Sequence, residues 1–84
     1  MIFKILISPK SDNFLKKLDK FTEERIKNKI KELSNNSELG KPLVGRLSGL
    51  WSLRIGDYRV LYEIRRSEVL ILVVKIGHRK DIYD

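Results

Sequence analysis

Three arginines, Arg54, Arg59 and Arg79, fall within the stretch Trp51–Arg79, WSLRIGDYRVLYEIRRSEVLILVVKIGHR. Arginine carries a rigid planar fork that holds a phosphate at two points, whereas lysine is a flexible point charge on a solvated stem. The two types are segregated here. Nine of the eleven lysines lie in residues 1–42 and six of the seven arginines in 43–84. The first half therefore reads as a solubilising surface and the second as a half built to grip phosphate. His78 is the sole histidine, the residue type that exchanges protons near neutral pH. It is either an acid or base, or a structural hydrogen-bonding group at a strand end.

Positioning these arginines falls to three successive strands. Trp51, Leu53 and Ile55 alternate with Ser52 and Arg54, and Tyr58, Val60, Tyr62 and Ile64 alternate with Arg59, Glu63 and Arg65. Period-two alternation marks strands with one face in a core. Gly56-Asp57 between them suits a two-residue hairpin turn, because glycine accepts positive φ. Arg54 and Arg59 then share the sheet face opposite the core, and Arg79, just past the last strand, lies within reach of it. Three clustered arginines repel one another unless an anion joins them; the alternative is that they pair with Glu63, Asp57 and Asp81. Val69–Val74 is apolar at every position, which predicts a strand inside the sheet and covered on both faces.

The rest of the chain supplies the other layer. Phe3–Ile7 reads as a strand stopped by Ser8-Pro9. Ser11 or Asp12 is the expected cap of a short helix carrying Phe14, Leu15 and Leu18. Thr22 is the expected cap of a second helix, with the stripe Ile26, Ile30 and Leu33. The basic residues of this helix, around Arg25 to Lys31, read as a solvated face. Gly40-Lys41-Pro42 punctuates a loop. The order predicts an α+β fold, β-α-α-β-β-β: a small, mostly antiparallel sheet with two N-terminal helices on one face and the other face open.

Composition bounds the function. Eighty-four residues predict a single domain, residues 1–84. The net charge of +7, from 18 basic and 11 acidic residues, favours a polyanionic partner, with a solvated lysine-rich surface as the alternative. Without cysteine there is no disulfide or thiolate ligand, and one histidine builds no zinc site, so no metal or other cofactor is expected. Ile2–Ile7 is too short for a secretory signal or a bilayer span. A soluble cytoplasmic protein is expected, with no membrane partner.

RLSGLWSLRIGDYRVLYEI, followed by an apolar strand and GHRKDIY, closely resembles the RelE/ParE superfamily of type II toxin–antitoxin toxins, above all its archaeal RelE-like members. The resemblance covers essentially the whole chain. It implies a metal-independent, ribosome-dependent mRNA endoribonuclease that cuts mRNA in the ribosomal A site and so inhibits translation. The RNA 2′-hydroxyl attacks the adjacent phosphate and leaves a 2′,3′-cyclic phosphate. It also implies a RelB-like antitoxin as partner, in a heterotetrameric complex, beside the ribosome and mRNA.

The resemblance assigns roles residue by residue. Arg59 matches the arginine that binds the scissile phosphate and Arg79 the one that stabilises the transition state. Arg54 stands at a basic position of the preceding strand. Tyr83 matches a tyrosine that stacks on or orients the base, against a core-capping role. Arg46 aligns with an RNA-holding basic residue, and Lys80 belongs with the RNA-binding set. His78 corresponds to a neighbouring histidine that serves related toxins as acid or base. Ser52 departs from the pattern, since some relatives carry a lysine there for proton transfer. Two other classes remain: a ParE-type toxin that inhibits DNA gyrase without nuclease activity, and a plain basic binding module.

Overall fold

The computed structural model describes residues 2–82 of the chain. A five-stranded sheet has the order β1-β5-β4-β3-β2, from β1 (Lys4–Ile7), β2 (Lys41–Pro42), β3 (Leu50–Ile55), β4 (Tyr58–Arg65) and β5 (Leu70–His78). β1 runs parallel to β5, and every other pair is antiparallel. Helices α1 (Pro9–Lys16) and α2 (Lys20–Glu32) separate β1 from the rest. Leu15 from α1, and Ile26, Ile30 and Leu33 from α2 and its end, share one core with Leu53, Ile55, Val60, Tyr62, Ile71, Val73 and Ile76 of the sheet. Both helices therefore cover the same face, as the α+β reading requires. No helix among the described residues is long and apolar enough to cross a membrane.

Both helix caps differ from expectation. Ser8 caps α1, accepting from the Ser11 amide at 3.2 Å, and Pro9 follows in the first turn, where its missing N–H costs nothing. Ser11 is instead fully buried inside the helix. Asp19 caps α2 by accepting from the Thr22 amide at 3.0 Å. That bond holds the Asp19 carboxyl below the ordinary carboxylate range.

β5 lies inside the sheet as read, but only one of its faces is closed. Ile71 and Val73 are fully buried, whereas Leu70, Leu72 and Val74 on the other side are half-buried. Both helices are spent on the first face. A bulge breaks the β4–β5 register: Tyr62 pairs with Val73 and Leu61 with Lys75, leaving Val74 extra. The Ser8 hydroxyl donates to the Val74 carbonyl at 3.2 Å, satisfying a group near the broken ladder. The extra residue also inverts the alternation. Ile76 and His78 turn to the helices, and Gly77 turns to the opposite face, beside Arg59.

That opposite face is not bare either. Leu61 is 3% exposed and Ile82 is 1% exposed, yet neither belongs to the main core. A Cβ on Gly77 would lie 3.1 Å from Ile82 Cδ1. The turn after β5 thus folds back and seats Ile82 over Gly77.

Candidate functional site

Arg54 and Arg59 are direct cross-strand partners on the outer face, at the end of the β3–β4 hairpin. The Gly56-Asp57 turn sets this register, with Gly56 at φ +57°. Arg54 Nε donates to the Gly56 carbonyl at 3.3 Å, and Arg59 Nη1 donates to Ser52 Oγ at 3.2 Å. Both guanidiniums are thus oriented by neutral acceptors. By contrast, Arg65 is ion-paired with Glu63 at 2.7 Å and reaches Glu68, and Arg66 is ion-paired with Glu38 at 2.9 Å. Arg54, Arg59 and Arg79 have no carboxylate partner among the described residues. The Glu63 partner weighed for the cluster is taken by Arg65, whose guanidinium it holds above the ordinary arginine range.

A cavity of about 420 Å³ opens at the β3 edge. Arg54, Arg59, Lys41 and Lys29 line it together with Leu39, Gly40, Ser52 and Leu53. It exists because β2 is only two residues long, pairing Lys41 with Ser52 and Pro42 with Trp51. Beyond Ser52 the edge of β3 has no strand beside it. Among the described residues four cations and no carboxylate line this space, a charge arrangement suited to an anion.

The loop before β2 is held firmly. The Tyr62 hydroxyl accepts from the Gly40 amide at 3.0 Å and donates to the Ser37 carbonyl at 2.8 Å. Burial pushes the Tyr62 phenol above its ordinary value. A Cβ on Gly40 would lie 2.6 Å from the Ser52 carbonyl oxygen, so glycine is required by close approach.

The other residues singled out in the sequence are placed as follows. The Arg79 amide donates to the Asp57 carbonyl at 2.8 Å, which fixes its backbone beside the hairpin turn, while its exposed side chain does not line the cavity. Lys80 is exposed in the same turn. Arg46 is exposed in a 3-10 turn, Gly45–Leu47, ahead of β3. His78 faces the helices, its ring 5.7 Å from Tyr58, which in turn packs edge-on against Phe14. It is therefore on the sheet face opposite Arg59. Tyr83 lies outside the described residues.

Two lysines that the motifs do not single out, Lys29 and Lys41, belong to this site. Lys29 lines the cavity, and Arg25 Nη1 approaches within 3.0 Å of where a Gly56 Cβ would stand. The basic residues of α2 keep solvent contact, as a solvated face requires, and Lys29 of that face also reaches the cavity. The usable signal was Gly40-Lys41-Pro42: a glycine for close approach and a proline suited to an edge strand bracket a lysine. Among the described residues no three His, Cys, Asp or Glu side chains gather into a metal-holding group.

Comparison with known proteins assigns the family. The model of the ParE toxin of the type II toxin–antitoxin system, parDE, matches residues 5–83. The chain belongs to this toxin family. Toxin RelG of Mycobacterium tuberculosis is 42% identical over 45 residues, which cover 54% of this chain and 52% of the relative. The chain thus matches about half the length of such curated relatives. A chain of the M. tuberculosis toxin–antitoxin complex RelBE2 superposes with a TM-score of 0.86 at 26% identity, covering 94% of this chain and 100% of that one. A chain of the archaeal RelE–RelB complex from Pyrococcus horikoshii gives 0.78 at 23% identity, over 96% and 99%. Its fold is the one described above. This member of the RelE/ParE superfamily carries Arg54 and Arg59, without an ion pair among the described residues, at one end of the outer sheet face.

Proposed function

We propose that this chain is the toxin of a type II toxin–antitoxin pair and acts as a ribosome-dependent mRNA endoribonuclease. The observation that carries the reading is the cavity lined by Lys29, Lys41, Arg54 and Arg59, with no carboxylate in its lining among the described residues. In the proposed reaction the 2′-oxygen attacks the adjacent phosphorus in line, the 5′-oxygen departs, and a 2′,3′-cyclic phosphate remains. Negative charge gathers on the phosphoryl oxygens in the transition state. Preorganised guanidiniums stabilise that charge, a contribution often the largest in catalysis. No metal is needed for these steps.

Arg59 and Arg54 grip the scissile phosphate. Arg79, anchored through its amide beside the same hairpin, meets the developing charge once RNA is seated. Tyr83 serves as the base platform, and Arg46 and Lys80 hold flanking RNA. His78 is assigned to the aromatic packing with Tyr58, away from the chemistry. The four-cation cavity favours phosphate chemistry over a gyrase inhibitor without nuclease activity.

The proposed partner is a RelB-like antitoxin, assembled with the toxin as a heterotetramer; the superposed M. tuberculosis structure is itself a toxin–antitoxin complex. Its contact surface is the part of the outer face around β1 and β5, where Leu6 (44% exposed) pairs with Leu72 and Leu70 lies beside them; Glu63 of β4 separates this patch from Leu50. The test is to add the purified chain to a translating extract and map mRNA ends. Discrete cuts within codons, with cyclic-phosphate 3′ ends, are expected. Intact mRNA under full translation, with gyrase supercoiling blocked, would overturn the nuclease reading.

A further inference from the structure

Cleavage by 2′-hydroxyl attack needs a proton at the departing 5′-oxygen, and a guanidinium is not deprotonated in proteins. The cavity holds two ammonium groups, which can give up a proton. Lys29 is engaged by Glu32 at 3.5 Å. Lys41 has no ion pair among the described residues. It stands directly across from Ser52 in the β2–β3 pairing, and Ser52 Oγ accepts from Arg59 Nη1. Lys41 and Arg59 therefore flank the same serine on the same sheet face. The Lys41 backbone is fixed on both sides. Gly40 is held by Tyr62 and pressed against the Ser52 carbonyl, and Pro42 is paired with Trp51. Its side chain remains exposed to the cavity.

We propose that Lys41 is the general acid of this site. Its ammonium gives a proton to the 5′-oxygen as the P–O5′ bond breaks. Meanwhile the 2′-oxygen bonds to phosphorus and the 2′-hydroxyl proton passes to water. Neutral Lys41 then takes a proton back from solvent, so the cycle closes without another reactant. This inference rests on the nuclease reading. His78 does not compete for the role, since it faces the helices.

The test compares the wild type with Lys41→Arg on ribosome-bound mRNA whose cleaved linkage is either natural or carries a bridging 5′-sulfur. Sulfur departs without protonation. Lys41→Arg keeps the charge but loses the exchangeable proton. General acid catalysis contributes about 10²–10⁴-fold, so the variant should be slower by that order on the oxygen linkage. On the sulfur linkage it should run close to the wild-type rate, a rescue that a merely structural role would not give. Equal wild-type and variant rates on oxygen would overturn the inference alone. So would an equal defect on both linkages. A wild type that cuts neither linkage would overturn the nuclease reading, and this inference with it.

Discussion

Replacing Tyr62 by phenylalanine tests how the loop that carries Lys41 is held. The ring is fully buried and stacks on Trp51, with centroids 6.3 Å apart, so Tyr62→Phe keeps the packing and removes only the hydroxyl. Two hydrogen bonds are lost, from the Gly40 amide and to the Ser37 carbonyl. At about 0.5–1.5 kcal/mol net for each, the loss is about 1–3 kcal/mol. In a domain of this size 1 kcal/mol moves Tm by about 4–8 °C, so a loss near the middle of the range lowers it by about 8–16 °C. The pH dependence has a definite sign. Burial raises the folded phenol above its ordinary value of 10.0, so its contribution is fully present below that pH and fades as pH rises through the folded value. Thermal melts at several pH values should show a constant gap between wild type and variant from neutral to mildly alkaline pH, narrowing only in strong alkali. An unchanged melting point, or a gap that widens with pH, would refute the reasoning.

Three other perturbations probe the scaffold. Gly40→Ala places a Cβ 2.6 Å from a backbone carbonyl oxygen, which cannot yield without parting β2 from β3; the urea midpoint should fall, and an unchanged midpoint would show that the loop is free to move. Ile82→Ala empties a buried site on the outer face and should cost about 2–5 kcal/mol in chemical denaturation; a loss within error would mean that the turn after β5 is not seated. Asp19→Asn retains an N-cap acceptor but removes a carboxyl whose folded pKa is lowered by its bond to Thr22. The wild-type carboxylate contribution is complete above the ordinary value of 3.8 and lost as pH falls through the folded value, so only the wild type should show that component in acid titrations of stability.

The sheet and its hairpin were legible because alternation in Trp51–Ile64 is nearly unbroken and Gly56-Asp57 suits a tight turn between the two runs. That pattern alone put Arg54 and Arg59 on one face, and the register agrees. The bulge at Val74 was hidden, since an all-apolar run carries no phase to be broken; yet the bulge is what turns His78 inward and Gly77 outward. The caps were missed for a related reason. Ser11, Asp12 and Thr22 are all capping types, and only the chain entering each helix selects Ser8 and Asp19. Lys29 and Lys41 were missed because segregation of lysine from arginine suggested two separate surfaces. The fold instead brings a helix and a two-residue edge strand to the same cavity, which is long-range placement that no local pattern encodes.

In the proposed reaction Arg59 meets the scissile phosphate. Primer extension on mRNA from a translating extract, with equal amounts of wild type and Arg59→Ala, tests it directly. Removing one preorganised donor to a developing oxyanion costs about 10²–10³-fold in rate, so discrete intracodon cuts should be strong with the wild type and nearly absent with the variant. Cuts of equal strength with both proteins would contradict the account.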